Sequence, residues 1–327
     1  MAEHDKVLMR QWHPVAYAHE IGEKPVSRVL MGERLVLFRT SSGVHAWKDL
    51  CIHRGAALSL GCVKDGTLVC PYHGWRYDGT GSCVLIPQQP PEQAITKQAR
   101  AVVYECREEK KIVWVRLGAD REETDLPPFP EWDDPAYKTV YCGPYPLQAS
   151  APRVIENFLD VGHLAFLHEG HLGDSAYPEI ADYRVDISEG GIRSSEIDIY
   201  QPDPDSTGNS GIARYVYEVL SPTAARLSKT DPLTGHVFSI LFAVSPIAQT
   251  ESVVFVALAR NYAFELPDAQ FADFQTFILQ QDQAVLESQR PELLPLDLQA
   301  ELHLKADRLS IAYRKWLRER GVVWGTA

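Results

Sequence analysis

The sequence has no stretch of about 18 consecutive apolar residues, so no bilayer-spanning helix and no membrane partner are expected. It has no G-x-G-x-x-G following a strand pattern and no G-x4-G-K-[ST]. Without such a phosphate cradle the chain is not expected to take hydride from NAD(P)H itself. Basic residues are in deficit, 32 Lys and Arg against 44 Asp and Glu for a net charge of −12. That argues against nucleic acid as a main partner, because phosphate binding needs a basic surface. The start, Met1-Ala2-Glu3-His4-Asp5-Lys6, lacks the basic-then-apolar order of a signal peptide, and a cytoplasmic enzyme is the expectation. There is no internal repeat and no low-complexity tract. Cysteine is sparse, six in 327 residues, and a chain this long needs no disulfide scaffold. Four of the six nevertheless fall between Cys51 and Cys83, which hints at a metal site.

The length suggests roughly two domains. Up to residue 118 the pattern is short strands and turns. Arg28 to Arg39 reads as a hairpin around Gly32. Gly43 to Trp47, Thr67 to Cys70, Trp75 to Tyr77 and Ile112 to Leu117 are further strands, punctuated by Asp65-Gly66 and Asp78-Gly79-Thr80-Gly81. The Pro- and acid-rich stretch Asp120 to Pro135 reads as a linker. Beyond it, Arg153 to Leu167 reads as a helix. Ile192 to Tyr200, Ile212 to Leu220, Val237 to Val244 and Val253 to Ala259 read as strands, and Ser206 to Gly211 as a flexible loop. Leu266 to Gln289 and Asp297 to Arg320 read as helices. Strands followed by helices predict an α+β domain with an antiparallel sheet and long helices behind an all-β first domain. The expected division is 1–118, a junction over 119–145 that includes the start of the second domain, and 146–327.

Cys51-Ile52-His53 and Cys70-Pro71-Tyr72-His73 each offer one thiolate and one imidazole from a turn between strands. Two Cys and two His suit zinc or a Rieske 2Fe-2S cluster, in which two His replace two Cys on one iron. Zinc sites usually group like ligands. Here each loop carries one of each, as an asymmetric cluster needs. Cys62, Cys83, Cys106 and Cys142 read as ordinary, partly buried thiols.

CIHRGAALSLG…CPYHGWRYDGTG resembles the Rieske domain of the Rieske non-heme iron oxygenases, including Arg54-Gly55 and Gly74-Trp75. The resemblance implies a 2Fe-2S cluster held by Cys51, His53, Cys70 and His73. Respiratory Rieske proteins carry an extra Cys in each loop; Ala56 and Tyr72 stand at those positions here.

In the second domain Glu156, Asp160 and His163 fall at i, i+4 and i+7, one face of a helix, and His168 follows off register. A helix end or bulge near Gly162 is therefore expected. The residues alone leave two readings open, a solvated polar face or a metal site. Over Phe271 to Gln289 the apolar stripe is Phe271, Phe274, Ile278 and Val285, and Asp282 sits inside it. A carboxylate in a buried seam is paired or metal-bound.

Here too the resemblance extends the reading. Glu-Asn followed by D-x2-H-x4-H is similar to the mononuclear iron motif of the same oxygenases. It implies that His163 and His168 hold iron and that Asn157 lies near the metal. Asp160 would bridge an iron His to a cluster His of the next subunit. His171 falls outside the pattern and is read as surface or supporting. QQDQAVLESQR resembles the late helix that supplies the third ligand, here Asp282, with Asp297 or Glu287 next in line. LKADRLSIAYRKWL resembles the C-terminal helix of the shorter members. The family's fold joins an all-β Rieske domain to a helix-grip-type domain.

The resemblance further implies one cluster and one mononuclear Fe(II) per subunit, NAD(P)H used only through a reductase, possibly with a ferredoxin, and a head-to-tail homotrimer. The length matches the demethylase and monooxygenase members. The expected reaction is O2-dependent hydroxylation of a methyl group on a small aromatic or heteroaromatic substrate, including O- or N-demethylation. The alternatives are cis-dihydroxylation of an aromatic ring on the same fold and a Rieske electron carrier without catalytic iron. Tyr177 to Phe264 carries no recognisable motif. Phe238, Leu241, Phe242, Phe255 and Asn261 are taken from it as pocket candidates.

Overall fold

The computed structural model describes residues 5–118, 125–204 and 208–327. The first residues of the expected linker and of the Ser206 to Gly211 loop, and the start of the chain, lie outside them. The described residues divide into two compact units, 9–118 and 5–8 with 125–327.

A one-turn helix, α1 (Lys6–Met9), opens the described chain. The unit 9–118 then contains β1 (His13–Tyr17), β2 (Val26–Leu30), β3 (Glu33–Thr40), β4 (Gly43–Lys48), β5 (Cys62–Lys64), β6 (Thr67–Val69), β7 (Arg76–Tyr77), β8 (Cys83–Leu85), β9 (Val103–Glu109) and β10 (Ile112–Arg116). Six strands form an antiparallel sheet in the order β1-β10-β9-β4-β3-β2, and β5-β6-β7-β8 form a second sheet. Asp65 and Gly66, both at positive φ, form the two-residue turn between β5 and β6. Their backbone twist matches that of the strands they join. Val36, Phe38, Trp47, Leu58, Leu68 and Tyr77 bury a shared core with Cys51 and Cys70. The two cysteine loops are thereby anchored at their roots.

The other unit contains β11 (Lys138–Leu147), α2 (Ala151–Leu159), β12 (Val185–Ser188), β13 (Gly191–Ser194), β14 (Ile197–Gln201), β15 (Gly211–Ser221), β16 (Ala224–Thr230), β17 (Val237–Ala248), β18 (Glu251–Arg260), α3 (Asp268–Leu286) and α4 (Arg308–Arg320). The antiparallel sheet runs β11-β18-β17-β16-β15-β13-β12, with β14 also paired to β15. α2 packs on β17 and α3 on β11. Asp5 joins this unit by accepting the N–H groups of Val323 and Trp324 at 2.6 and 2.9 Å.

Several expectations are corrected. The helix expected to Leu167 stops at Leu159, and Asp160 caps it in extended backbone (φ −81°, ψ 119°). The helix expected from Asp297 starts at Arg308. Upstream, Leu302 and Leu304 are exposed and have no seam to bury, whereas Leu309, Ala312, Tyr313, Trp316 and Leu317 form one buried stripe. The strand expected over Ile192 to Tyr200 is two strands that meet β15 at separate points. The junction expected over 119–145, with the start of the second domain, contains most of β11, an edge strand of the large sheet that was not expected. Pro144 and Pro146 hid it from a strand reading. An edge strand tolerates proline, and the register shifts between Cys142 and Tyr145.

Candidate cofactor sites and active cavity

The two cysteine loops share one backbone design. Cys51 N–H donates to Ala56 C=O and Gly55 N–H to Cys51 C=O, both at 2.8 Å. Cys70 N–H donates to Trp75 C=O at 2.8 Å and Gly74 N–H to Cys70 C=O at 3.1 Å. Gly55 and Gly74 close these turns at φ +71° and +72°, where other residues are strained. The Asp49 carboxylate accepts Ser59 N–H (2.7 Å) and Oγ–H (2.6 Å), pinning the far side of the first loop.

The histidines of the two loops converge, with ring centroids 4.6 Å apart. His53 stacks on Trp75 at 4.5 Å. Its Nδ1 is buried without a hydrogen-bond partner. An orphaned imidazole nitrogen is costly unless it ligates something. Burial pushes the Cys70 thiol up, against the backbone N–H groups of Tyr72 and His73, which point at its sulfur and favour the thiolate. Tyr77 Oη lies 3.1 Å from Cys51 Sγ. Two buried sulfurs facing donors and two converging imidazoles fit a Rieske cluster.

In the second unit the segment after α2 returns on itself in successive turns. Phe166 and Leu167 N–H donate to His163 C=O, and His171 and Leu172 N–H donate to His168 C=O. The turns bring the two imidazoles to a centroid distance of 5.0 Å. Asp282 of α3 meets them, its Oδ1 3.5 Å from His163 Nε2 and 3.2 Å from His168 Nε2. The three donor atoms lie within 4.8 Å of one another. Asn157 Nδ2 donates to the same Asp282 oxygen at 3.3 Å.

The outer imidazole nitrogens are also engaged. His163 Nδ1 lies 3.3 Å from Asp160 Oδ2, while Asp160 Oδ1 accepts Gly162 N–H at 2.8 Å. His168 Nδ1 lies 2.8 Å from Gln281 Oε1. These outer oxygens are acceptors, so each Nδ1 carries the proton and each Nε2 lone pair faces the centre. Burial lowers the proton affinity of His168, but Asp282 and Gln281 outweigh it and raise its pKa. Burial likewise opposes ionisation of Asp160, yet His163 and Gly162 hold its carboxyl below the usual range. Two imidazoles and one carboxylate converging from one side fit the 2-His-1-carboxylate facial triad of non-heme iron oxygenases.

A cavity of about 430 Å³ adjoins the triad. Phe158, Tyr217, Phe238, Ile240, Phe242, Phe271 and Ile278 supply most of its apolar wall. Phe158 stacks on Phe242 at 4.4 Å.

Of the pocket candidates, Phe238 and Phe242 line this cavity and Leu241, Phe255 and Asn261 do not. Side chains alternate across β17, so 238, 240 and 242 face the cavity and Leu241 joins Phe129, Ala257 and Ala259 on the other side. Phe255 is buried in β18. Asn261 Oδ1 accepts Val237 N–H at 2.7 Å, a turn contact. The α3 stripe also differs from expectation. Phe274 and Val285 are about two-fifths exposed, and Gln275, Leu279 and Leu286 take their places beside Asp282. Glu156 leaves the expected face altogether and receives a bidentate pair from Arg314 at 2.5 and 2.8 Å. Glu287 Oε1 accepts Gln148 N–H, and Asp297 caps a local turn. His171 lines the cavity and packs on Phe277 at 4.9 Å. Gln281, Tyr217 and Lys229 were missed. Period-two alternation could have found Ile240; nothing local marks Gln281.

Residues 11–105 match the Rieske [2Fe-2S] domain, and residues 147–321 match the vanillate O-demethylase oxygenase C-terminal domain. The fold and the paired sites define a Rieske-type oxygenase component, an oxidoreductase that incorporates O2. The chain belongs to the family that carries the vanillate O-demethylase oxygenase C-terminal domain. It is 33% identical to the methylxanthine N1-demethylase NdmA of Pseudomonas putida over 95% of this chain and 89% of that protein. It is 32% identical to the N3-demethylase NdmB of the same organism, over 96% and 90%. The structure of Pseudomonas putida CBB5 NdmA with caffeine aligns at TM-score 0.86 and 31% identity, over 96% of this chain and 91% of that one. A Rieske cluster and a mononuclear iron are the cofactors of this class, and its electrons come from NAD(P)H through a partner reductase.

Proposed function

We propose that this enzyme removes or hydroxylates a methyl group on a small, flat aromatic or heteroaromatic compound. The observation that carries the reading is the aromatic-walled cavity with the His163, His168 and Asp282 donors in its wall. Hydroxylation of an O- or N-methyl group gives a product that collapses to formaldehyde and the demethylated compound. Such chemistry is what relatives named as methylxanthine demethylases support.

Cys51, His53, Cys70 and His73 would hold the cluster, and His163, His168 and Asp282 the mononuclear iron. When bound, the iron supplies O2 activation and the cluster one-electron storage. The chain's own side chains do the rest. Asp160 and Gln281 hold the two imidazoles in the ligating tautomer. Phe158, Tyr217 and Phe242 exclude water beside the triad and hold a planar ring by stacking. Asn157 keeps Asp282 oriented.

Asp160 satisfies His163 and remains 38% exposed on its side chain, so it retains acceptor capacity for a second imidazole. We assign that capacity to a cluster histidine of a neighbouring copy in a head-to-tail trimer. Among the described residues no helix is long and apolar enough to cross a membrane, and we place the enzyme in the cytoplasm.

The test is formaldehyde release from methoxy- and N-methyl-aromatics with a surrogate reductase under labelled O2. Formaldehyde in step with the demethylated product is expected. A cis-diol carrying both oxygen atoms would instead make the enzyme a ring dihydroxylase.

A further inference from the structure

The donors of the mononuclear site come from two distant parts of the chain. His163 and His168 follow α2, and Asp282 lies in α3, more than a hundred residues later. A ligand set works only when its side chains hold their geometry to within about 0.5 Å. The polar contact that joins the two helices beside the triad, from Asn157 Nδ2 to Asp282 Oδ1, is long at 3.3 Å. A tighter set of links lies on the neighbouring face of α2.

Arg153 and Glu156 sit one turn apart on α2, and both are buried. Glu156 accepts Arg314 Nε–H at 2.5 Å on one oxygen and Nη2–H at 2.8 Å on the other. Arg314 is 2% exposed, in the middle of α4. Its guanidinium also donates to Glu301 Oε2 at 2.5 Å and to Pro295 C=O at 3.2 Å. Arg153 donates to Glu301 Oε1 and to Pro291 C=O, both at 2.9 Å. Pro291, Pro295 and Glu301 belong to the segment that leaves the end of α3. Residues 325–327 hold the same segment from another side. Leu294 N–H donates to Gly325 C=O at 3.0 Å, and Leu296 N–H to Ala327 C=O at 2.8 Å.

Two arginines against two glutamates leave the network without net charge, which makes its burial tolerable. Such a network adds little stability over well-packed apolar side chains, but its geometry is exacting. Here that geometry bears on the iron site. Glu156 and Asn157 are consecutive, about 100° apart around α2. The first is fixed to α4, and through Arg314 to the segment after α3; the second touches Asp282. Both contacts hold only at one rotation and one height of α2.

We propose that Arg314 is a positioning residue for the mononuclear iron site. By clamping Glu156 of α2 and Glu301 after α3 in one guanidinium, it sets how α2, and the histidines that follow it, meet Asp282. The inference rests on His163, His168 and Asp282 being the iron ligands.

The test separates positioning from stability. Glu156→Met combined with Arg314→Met removes the clamp without leaving a lone buried charge. Three quantities are measured under anaerobic conditions on protein with its cluster intact. They are the melting temperature, the Fe(II) affinity of the mononuclear site by chelator competition, and the ligand-field spectrum of Co(II) placed there. The double variant should melt near the wild type and keep its Rieske absorbance. It should bind Fe(II) about tenfold more weakly and change the cobalt spectrum. Arg314→Lys keeps the charge but not the fork, and should show the same selective loss of iron affinity even if the double variant folds poorly. Wild-type iron affinity in either folded variant, or a loss of affinity that only follows a loss of melting temperature, overturns the inference. The reading of the ligands fails separately. The wild type would then bind no third iron, or Asp282→Ala would bind it as tightly. A wild type that binds the third iron, with both clamp variants binding it equally well, leaves the ligands standing and removes Arg314.

Discussion

Gln281 Oε1 lies 2.8 Å from His168 Nδ1, so the helix that supplies Asp282 also sets the tautomer of a histidine more than a hundred residues earlier. One element thus carries a proposed ligand, Asp282, and orients a second, His168. Replacing Gln281 by Leu removes the acceptor and frees His168 to turn or change tautomer. Iron affinity should fall by about 10- to 100-fold, measured by competition with a calibrated chelator. Gln281→Glu keeps an acceptor and should retain most of the affinity. Equal affinities in wild type and Gln281→Leu would show that packing alone holds the ring.

Asp282→Ala should abolish activity and lose the mononuclear iron while the Rieske absorbance persists. Iron and sulfide analysis of the same sample gives the answer. Retention of full iron content and turnover would move the third ligand elsewhere, although Glu287 and Asp297 are already occupied by backbone N–H groups.

Asp160→Asn addresses electron flow. Asp160 accepts from both Gly162 and His163, and a carboxylate can accept from a further imidazole at the same time. An amide offers one acceptor oxygen and a donor group that faces an imidazole N–H wrongly. Both metals should remain bound, and the reduced cluster should no longer be oxidised when substrate and O2 are mixed with it. Stopped-flow absorbance records this directly; cluster oxidation at the wild-type rate would remove Asp160 from the electron path.

Arg314 is buried, and its guanidinium pairs with Glu156 and Glu301. Arg314→Ala leaves the buried Glu156 with Arg153 alone, 3.7 Å away, and should cost about 3 kcal/mol, the low end for a broken buried pair. Replacing Glu156 and Arg314 together by Met should cost much less, because Arg153 and Glu301 still pair at 2.9 Å. Chemical denaturation of the three proteins tests the order.

Thiol labelling should separate the cysteines outside the cluster. Cys62 is exposed, whereas Cys142 is 3% exposed and burial pushes its thiol up to about 12. At pH 8 the Cys142 thiol is protonated as well as shielded, so a maleimide should modify Cys62 and spare Cys142 until the protein unfolds.

The two cysteine loops, His163 and His168 were legible because each donor set is local. Two donor side chains within a few residues of a turn are positioned by backbone geometry that the sequence itself specifies. The burial of Asp282 was legible through periodicity, although of its expected stripe only Phe271 and Ile278 are buried. The face that each strand and helix buries was not legible. Phe238, Leu241 and Phe242 are equally apolar, and only the neighbours of β17 decide that 238 and 242 face the cavity while 241 faces away. Glu156 and Asp160 share a helical spacing, yet Arg314 draws one aside and the end of α2 frees the other. Gln281 carries no local signal at all. Its contact with His168 joins residues far apart along the chain, and burial is a property of the packed whole, which no window of sequence contains.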